Sequence, residues 1–297
     1  MSDIKHYGER TNNYIPSEAR TILNEYLSNL KLENKADSTI TKYRYILEGF
    51  LKECTIPIGK ISSKDLQRWI NEYSVGKKPK TIDLILATLS SFFNYCLEEG
   101  YMEHTVMKKR WKPQIPRALP KYLDEYEYTR VKRISEELPI RDRTILLFLF
   151  SSGCRVSELS KLNIQDINME KRTATVIGKG KKIRDIHFSV ECALILKEYL
   201  SGRLDNSAEP LFLNKFGNRL LVGGIQQVLK KAGIKAELSQ SFHPHSCRHT
   251  FATRMLARGA DLQFIADELG HSDLNTTRVY ARIPTEDMML KYQNIMG

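Results

Sequence analysis

Six side chains in this sequence are of types that bind anions, exchange protons or act as nucleophiles. They are two arginines, a lysine, two histidines and a tyrosine, and they occur in the order Arg155, Lys179, His245, Arg248, His271 and Tyr280. The last four lie within the 36 residues of the range 245–280. Guanidinium groups bind phosphates and carboxylates through paired hydrogen bonds, and imidazoles gain and lose protons near neutral pH. The order and spacing of the set are more informative than any one member.

Taken one at a time, these residues also have ordinary interpretations. Arg155 stands where a buried helix is followed by a new helix start, and a surface ion pair with Glu158 would account for it. Lys179 lies between two glycines at a predicted hairpin tip, where a lysine often only keeps a turn soluble. The same position could also bring an ammonium group beside a phosphate in a DNA groove. Tyr280 could simply pack on an amphipathic surface.

The stretch around Arg248 is the richest in polar side chains. His245 and Arg248 are three residues apart and therefore share a helix face. His245 and His249 are four apart, which is also a zinc-ligand spacing, but the glutamate of a His-Glu-x-x-His motif is missing. A third ligand would have to be His271 or a carboxylate from elsewhere in the chain. The sequence favours a packed or capping role for His249 and predicts no metal site.

The composition favours a polyanionic partner. The chain has 46 basic and 35 acidic residues, a formal net charge of +11 and a pI near 9.3. Basic surfaces of this kind bind nucleic-acid phosphates, although solvated lysines alone would give the same balance. Charge alone therefore leaves nucleic-acid binding open.

Targeting segments and disulfides are not expected. No apolar run approaches the roughly 18 residues that span a bilayer. The start, Met1 to Arg10, is polar and lacks the apolar core of a signal peptide, so the predicted location is the cytoplasm. The five cysteines are an odd number without a Cys-x-x-Cys pair, and we expect reduced thiols in packed positions.

The first third of the chain has helical periodicity throughout. Apolar residues recur at spacings of three and four in four segments between Ser17 and about His104, which predicts a small all-α domain. The segment from Lys108 to Lys121 contains three prolines and six basic residues. Proline blocks regular structure, so this segment is predicted to be a linker.

The rest of the chain is predicted to be helical except for one hairpin. Asp124–Leu138 and Ile140–Ser152 have helical patterns, and the second is apolar enough to be buried. Arg172–Ile177 and Lys182–Phe188 are short β-prone runs on either side of a glycine-bearing turn. A helix from Asp261 to Leu269, closed by Gly270, precedes the final segment.

With these elements in place, five of the six residues, all but Lys179, fall into recognisable boxes. The stretch 153–159, Gly-Cys-Arg-Val-Ser-Glu-Leu, resembles the first arginine box of the tyrosine recombinase family. The stretch 245–253, His-Ser-Cys-Arg-His-Thr-Phe-Ala-Thr, resembles its His-x-x-Arg box. The stretches 269–272, Leu-Gly-His-Ser, and 276–280, Thr-Thr-Arg-Val-Tyr, resemble the third box and the nucleophile. The resemblance spans nearly the whole chain, and its length and layout are most similar to the Xer branch.

The resemblance implies a mainly α protein with a small β-sheet or hairpin in its C-terminal domain. Two domains would form a C-shaped clamp on DNA: an all-α, SAM-like core-binding domain and a catalytic domain. The expected divisions are an N-terminal extension over 1–16, the core-binding domain over 17–107, a basic proline-rich linker over 108–120, and the catalytic domain over 121–297 with a tail over 284–297.

The resemblance also implies a reaction and its residues. Arg155 and Arg248 would hold the scissile phosphate, and His271 would donate a hydrogen bond to it. Tyr280 would attack and form a 3′-phosphotyrosine, with His245 as the base. Lys179 would protonate the leaving 5′ hydroxyl. Neither cofactor, metal nor ATP is expected.

The expected partner is double-stranded DNA carrying a specific site. A homo-tetramer on two sites, or a hetero-tetramer with a second related recombinase, would exchange strands through a Holliday junction, with an accessory protein also possible. Chromosome-dimer resolution is the predicted role. Integration or excision of a mobile element, a type IB topoisomerase and an inactive DNA-binding relative are the alternatives, followed by a metallohydrolase built on His245 and His249.

Overall fold

The computed structural model of the chain describes residues 14–115, 120–178, 180, 182–203, 209–271 and 273–280. The chain divides into two compact units, Met1–Arg117 and Ala118–Gly297. Each unit has a hydrophobic core of its own. Lys179 and the predicted tail over 284–297 lie outside the described residues.

The described part of the first unit is helical, as the sequence predicts. Its α-helices are α1 (Ser17–Leu32), α2 (Asp37–Glu53), α3 (Ser63–Tyr73) and α4 (Pro79–Glu98), and short 3-10 helices cover Ile58–Lys60 and Lys109–Trp111. Ser62 begins α3 with a reciprocal capping box to Asp65. Proline at the first position of α4 has the fixed φ that a helix start requires.

The core of the first unit is built from the apolar faces of these helices. Phe50 of α2 is fully buried, and its ring contacts Trp69 of α3 at a centroid distance of 5.1 Å and Phe93 of α4 at 5.8 Å. Such edge-to-face pairs join three helices around one ring. The amphipathic pattern in the sequence is thus accounted for by burial in this unit.

The second unit combines helices with a small sheet. Its α-helices are α5 (Glu125–Ser135), α6 (Ile140–Ser152), α7 (Val156–Lys161), α8 (Val190–Ser201), α9 (Val222–Lys235), α10 (Pro244–Ala257) and α11 (Leu262–Leu269). Its strands are β1 (Ile167–Asn168), β2 (Thr173–Ile177) and β3 (Ile183–His187), and 3-10 helices cover Ile164–Asp166 and Leu274–Thr276. A mainly α fold with a small sheet is confirmed.

The three strands form one antiparallel sheet in the order β1-β2-β3. The predicted hairpin is β2-β3: Ile177 pairs with Ile183, and the Gly178 amide donates to the Lys182 carbonyl over 2.8 Å. Strand β1 was not predicted, because two residues are too short to show an alternating pattern.

Helix α6 forms the centre of the second unit. Its apolar run from Ile145 to Phe150 is buried and packs against α8 and α10. The helix ends at Gly153, which has a φ of +59°, a conformation that favours glycine. The chain turns sharply there, so that Arg155 begins the next helix.

Two further expectations concern thiols and membrane spans. All five cysteines are free, and four are buried while Cys54 is partly buried. No helix within the described ranges has the length and apolarity needed to cross a membrane.

Candidate active site

Helix α10 carries three of the polar side chains discussed above. Pro244 is its first residue, and the His243 side chain caps it by accepting a hydrogen bond from the Ser246 amide at Nδ1 over 3.2 Å. The cap sets the start of the helix and thereby the direction of the turn that carries Arg248 and His249.

The Arg248 guanidinium is buried, with 5% of the residue exposed. It donates to the Gly153 carbonyl over 2.8 Å and to the Leu269 carbonyl over 2.6 Å. Burial, with a smaller contribution from the charge of Arg155, lowers the pKa of Arg248 to about 10. The side chain therefore keeps its positive charge at neutral pH.

Arg155 lies at the start of α7, directly after the turn at Gly153. Its guanidinium donates to the Glu158 carboxylate over 2.9 Å and to the Gly270 carbonyl over 3.3 Å. The ion pair with Glu158 is the one that local sequence suggests, but Glu158 is only 3% exposed. The pair is therefore part of a buried arrangement and not a surface contact.

Three guanidiniums meet at the C-terminal end of α11. Arg184 Nε donates to the Glu268 carbonyl over 3.4 Å, and the next two carbonyls along the chain, Leu269 and Gly270, accept from Arg248 and Arg155. Carbonyls at a helix C-terminus carry partial negative charge, which stabilises cations. Because consecutive residues are about 3.8 Å apart, the three side chains, hereafter the arginine cluster, are neighbours.

The arginine cluster retains capacity for an anion. Each guanidinium has five N–H groups, more than its contacts with described residues use. Only one carboxylate among the described residues, Glu158, bonds to it: Arg184 contacts the two Glu158 oxygens at 2.9 and 3.0 Å. Three positive charges around one negative charge make an electrostatically favourable position for a phosphate.

Glu158 was missed as a site residue. Burial alone would raise the pKa of Glu158, but hydrogen bonds from Arg184 and Arg155 outweigh burial and lower that pKa below its usual value. The carboxylate thus stays charged and holds two members of the arginine cluster. Its position three residues after Arg155, at the third position of a helix start, was the signal available in the sequence.

His271 follows directly after the end of α11. Its Nδ1 lies 2.8 Å from the Thr277 hydroxyl, and the side chain is partly buried. Burial, followed by the charges of the arginine cluster, lowers the pKa of His271 to about 4. The imidazole is therefore neutral at physiological pH and can offer a ring N–H without adding a further charge.

Tyr280 is almost entirely buried, with 2% of the residue exposed. It packs in a small apolar cluster with Phe251, Ala252, Ile265 and Leu269. Burial raises the pKa of the Tyr280 phenol to about 12, although the charge of Arg248 acts in the opposite direction. Since Leu269 also supplies a carbonyl to Arg248, the phenol and the arginine cluster share one end of α11.

The hydroxyl of Tyr280 is hydrogen-bonded to His249. The distance from His249 Nδ1 to the Tyr280 oxygen is 2.8 Å. His245, the histidine of the family pattern, is exposed, and its ring centroid lies 6.5 Å from that of His249. The bond between His249 and Tyr280 was not predicted, because nothing in the sequence links two residues 31 positions apart.

Gly178, directly after the end of β2, lies close to the arginine cluster. A side chain placed on Gly178 would come within 3.1 Å of Arg184 and 3.5 Å of Glu158. The turn of the β2-β3 hairpin therefore begins beside the arginine cluster.

A metal site receives no support from the geometry. Within the described part of the chain, no group of three or more His, Cys, Asp or Glu side chains could hold a metal ion. Among these residues His245 and His249 have no third ligand of the kind that a zinc site would require.

The chain is similar to recombinases over most of its length. It is 37% identical to tyrosine recombinase XerA from Pyrococcus horikoshii over 272 residues, which cover 90% of either chain. It is 32% identical to tyrosine recombinase XerC from Thermodesulfovibrio yellowstonii over 284 residues, 91% of this chain and 94% of that one. These likenesses define the class of protein: a tyrosine recombinase, which is a DNA strand-exchange enzyme.

Fold comparison and family models agree with this class. The fold is similar to that in the crystal structure of XerH site-specific recombinase bound to palindromic difH substrate, a post-cleavage complex. The TM-score is 0.76 at 21% identity, and the match covers 96% of this chain and 91% of that one. The model of the phage integrase family matches residues 121–286, and the phage integrase N-terminal SAM-like domain matches residues 23–100. The chain belongs to the phage integrase family.

Proposed function

We propose that this protein cuts and rejoins DNA at a specific site, with Tyr280 as the nucleophile and without metal or ATP. The observation that supports the proposal most strongly is the arginine cluster beside the buried Tyr280 hydroxyl, at one end of α11. Attack on a phosphodiester needs cations around the phosphate, and it needs a nucleophile such as a phenol beside them.

The arginines would stabilise the negative charge that builds on the phosphate during attack. Arg155 and Arg248 would bond the non-bridging oxygens, and a guanidinium can hold two of them at once where a lysine cannot. Their bonds to Gly270, Gly153 and Leu269 carbonyls hold both side chains in position before DNA binds. Neutral His271 would donate a further hydrogen bond.

Proton transfer would occur on both sides of the phosphate. The Tyr280 phenol loses its proton when it attacks, and the 5′ oxygen of the departing strand gains one. Lys179, on the hairpin that begins beside the arginine cluster, would supply the second proton. The first has two candidate acceptors on α10, His245 of the family pattern and His249.

The products explain why no external energy source would be needed. Attack by Tyr280 replaces one phosphodiester with another, a 3′-phosphotyrosine. The 5′ hydroxyl of a second strand can then attack that bond and release the tyrosine. Because each step exchanges one phosphodiester for another, strand exchange would proceed at nearly constant free energy and would need no ATP.

The assembly would be that of the Xer recombinases. Two domains, divided as the sequence predicts, would close around the duplex as a clamp, and four protomers on two sites would exchange strands through a Holliday junction. The tail over 284–297 would dock into a neighbouring protomer. Resolution of chromosome dimers, in the cytoplasm, is the role that the similarity to Xer recombinases favours, alone or with a second recombinase or an accessory protein.

The proposal is tested by trapping protein on DNA. Fragmented DNA from the source organism is incubated with the protein, denatured, and analysed for covalently attached protein. We expect Arg248→Lys to reduce the adduct at least about 100-fold, since loss of one transition-state donor costs about 3 kcal/mol. Sequencing the trapped fragments identifies the site and separates a chromosomal role from that of a mobile element.

Arg254→Lys is the matched control. Arg254 lies on the same helix but bonds to Glu125 and stacks on the Tyr128 ring, away from the arginine cluster. It should leave the adduct within about threefold of wild type, as expected for a group outside the reaction. An Arg248→Lys variant with undiminished adduct would refute the assignment of Arg248 to the phosphate.

A further inference from the structure

The bond between His249 and Tyr280 has the geometry of a proton-transfer contact. The 2.8 Å distance from Nδ1 to the phenol oxygen is that of a direct hydrogen bond. The ring centroids are 5.6 Å apart with an interplanar angle of 57°. A proton leaving the phenol can pass along this bond without a bridging water.

The charge state of His249 suits an acceptor. Burial, followed by the charges of His245, Arg248 and His243, lowers the pKa of His249 to about 4. The ring is thus neutral at pH 7 and has one ring nitrogen able to accept a hydrogen bond. When the phenol donates, that nitrogen is Nδ1 and the ring proton is on Nε2.

His245 is less well placed for the same task. It is exposed on the first turn of α10, and its ring centroid lies 6.5 Å from that of His249, the ring that contacts Tyr280. The described residue that hydrogen-bonds the Tyr280 hydroxyl is His249. His245 is then available to the phosphate or to solvent.

We propose that His249 is a catalytic residue that receives the phenolic proton of Tyr280 when the tyrosine attacks DNA. This inference rests on the proposed function. The Tyr280 O–H bond breaks and a His249 Nδ1–H bond forms, while the Tyr280 oxygen bonds to phosphorus and the bond from phosphorus to the 5′ oxygen breaks. The 5′ oxygen takes its proton from the separate donor on the other side of the phosphate. In the rejoining step His249 returns its proton to the phenolate.

A purely structural role is the competing explanation. A buried tyrosine hydroxyl normally finds a hydrogen-bond partner, and His249 would satisfy that need without taking part in the reaction. The two explanations differ in whether the hydrogen-bond partner of Tyr280 must be able to take up the phenolic proton. A variant that accepts a hydrogen bond but cannot be protonated separates them.

His249→Asn is that variant. The Asn Oδ1 atom is attached to Cγ as Nδ1 is in histidine, so the amide can accept from Tyr280 but cannot take its proton. We expect adduct formation on a duplex recovered from the trapping experiment to slow about 100-fold or more at neutral pH, the usual contribution of a general base. His249→Ala should be no faster than His249→Asn.

His187→Asn is the matched control. His187 also bonds through Nδ1, to Glu268, but its side chain is 63% exposed and it lies on β3 outside the contact with Tyr280. Its rate should stay within about threefold of wild type. A His249→Asn rate within that range, or above wild type, overturns the proposal in favour of a structural or restraining contact.

The pH dependence gives a second readout. The wild-type rate should fall at acid pH as His249 becomes protonated. The charged and titratable groups that face His249 are His243, His245, Arg248, His271 and Tyr280. Without a base, the His249→Asn rate should instead rise about tenfold per pH unit, following ionisation of the phenol itself. Parallel profiles for the two proteins would contradict the proposal.

A measurement without DNA separates this inference from the proposed function. Nitrogen-15 NMR of the imidazoles in the free protein should show His249 protonated at Nε2, with a hydrogen-bonded Nδ1 that changes shift in Tyr280→Phe. An Nδ1–H tautomer would make His249 the donor and would overturn the inference. Failure of the wild-type protein to form any adduct would instead refute the proposed function.

Discussion

At the scale of single residues, the site concentrates positive charge that the protein itself balances only in part. Arg248 is buried beside Arg155, and its pKa is lowered first by burial and then by repulsion from the charge of Arg155. Such an arrangement is tolerated because helix-end carbonyls and Glu158 bond the guanidiniums. An incoming phosphate would supply the remaining negative charge. Binding of DNA would therefore reduce the repulsion between the guanidinium groups.

The dependence of the arginine cluster on Glu158 leads to a stability prediction. Glu158→Gln keeps the shape of the side chain but removes the one carboxylate among the described residues that bonds Arg155 and Arg184. Breaking a buried ion pair by removing one partner costs about 3 kcal/mol or more. We expect a loss of that size in the free energy of unfolding, measured by urea denaturation.

Glu191→Gln is the control for Glu158→Gln. Glu191 pairs with Lys132 at 2.8 Å, but both side chains are well exposed, at 40% and 37%. Exposed pairs contribute about 1 kcal/mol or less. Equal losses in the two variants would show that Glu158 does not hold the arginine cluster together.

The two buried histidines make stability depend on pH. The pKa values of His249 and His271 are about 4 in the folded protein, below the value of about 6.5 for an unperturbed imidazole. Between these values the unfolded chain binds more protons than the folded chain, so stability falls as the pH is lowered. Above about pH 6.5 both states are neutral and these histidines add no pH dependence.

We therefore expect the urea midpoint to decrease between about pH 6.5 and pH 5, a range that lies above most carboxylate titrations. The decrease should be smaller in a variant that combines His249→Asn with His271→Gln, since neither replacement titrates. If the double variant kept the wild-type slope, the two rings would not be neutral and partly buried as described.

At the scale of elements, the turn between α6 and α7 sets the geometry of Arg155 and Arg248. Gly153 has a φ of +59°, and its carbonyl accepts from Arg248 while Arg155 follows two residues later. A Cβ atom at this position would lie 2.4 Å from the Phe251 ring. The turn therefore requires glycine both for its backbone conformation and for its packing against α10.

Gly153→Ala should destabilise the protein by about 3 kcal/mol, the sum of a left-handed backbone penalty and overpacking. Gly259→Ala is the control, because Gly259 has a φ of +86° at the end of α10 but nothing lies within 4 Å of its added Cβ. It should cost about 1 kcal/mol. Urea denaturation of both variants measures the difference, and equal losses would mean that contact with Phe251 is unimportant.

Sequence patterns predicted most elements because apolar periodicity and turn residues are local signals. Helix α6 was predicted with the observed bounds, since Pro139 precedes it and Gly153 follows it. Helix α5 ends at Ser135, three residues earlier than predicted, because Leu138 precedes a proline and is disfavoured in a helix. Strand β1 is held by pairing with β2 and has no pattern of its own.

The candidate site was predictable only as a set of residue types in order. Arg155, Arg248, His271 and Tyr280 all meet at the end of α11 or beside it. Their partners could not be predicted, because backbone carbonyls carry no sequence signal. The contact between His249 and Tyr280 likewise depends on tertiary packing.

At the scale of the whole molecule, one unit is helical and matches an integrase SAM-like domain, and the other carries the arginine cluster. The net charge of +11 is distributed over a chain whose proposed substrate is a polyanion. A bound duplex would bring its scissile phosphate to the arginine cluster. The central claim is that Tyr280 then becomes covalently attached to DNA.

The measurement that tests this claim most directly is the amount of DNA that remains attached after denaturation, with wild type and Tyr280→Phe compared in the presence of a chelator. Tyr199→Phe is the control, since Tyr199 is also a buried tyrosine with a hydrogen-bonded hydroxyl, which accepts from the Leu213 amide. The account predicts an adduct with wild type and Tyr199→Phe, none with Tyr280→Phe, and no effect of the chelator. An adduct that persists in Tyr280→Phe or disappears with the chelator would contradict it, as would salt-sensitive DNA binding by wild type without any adduct.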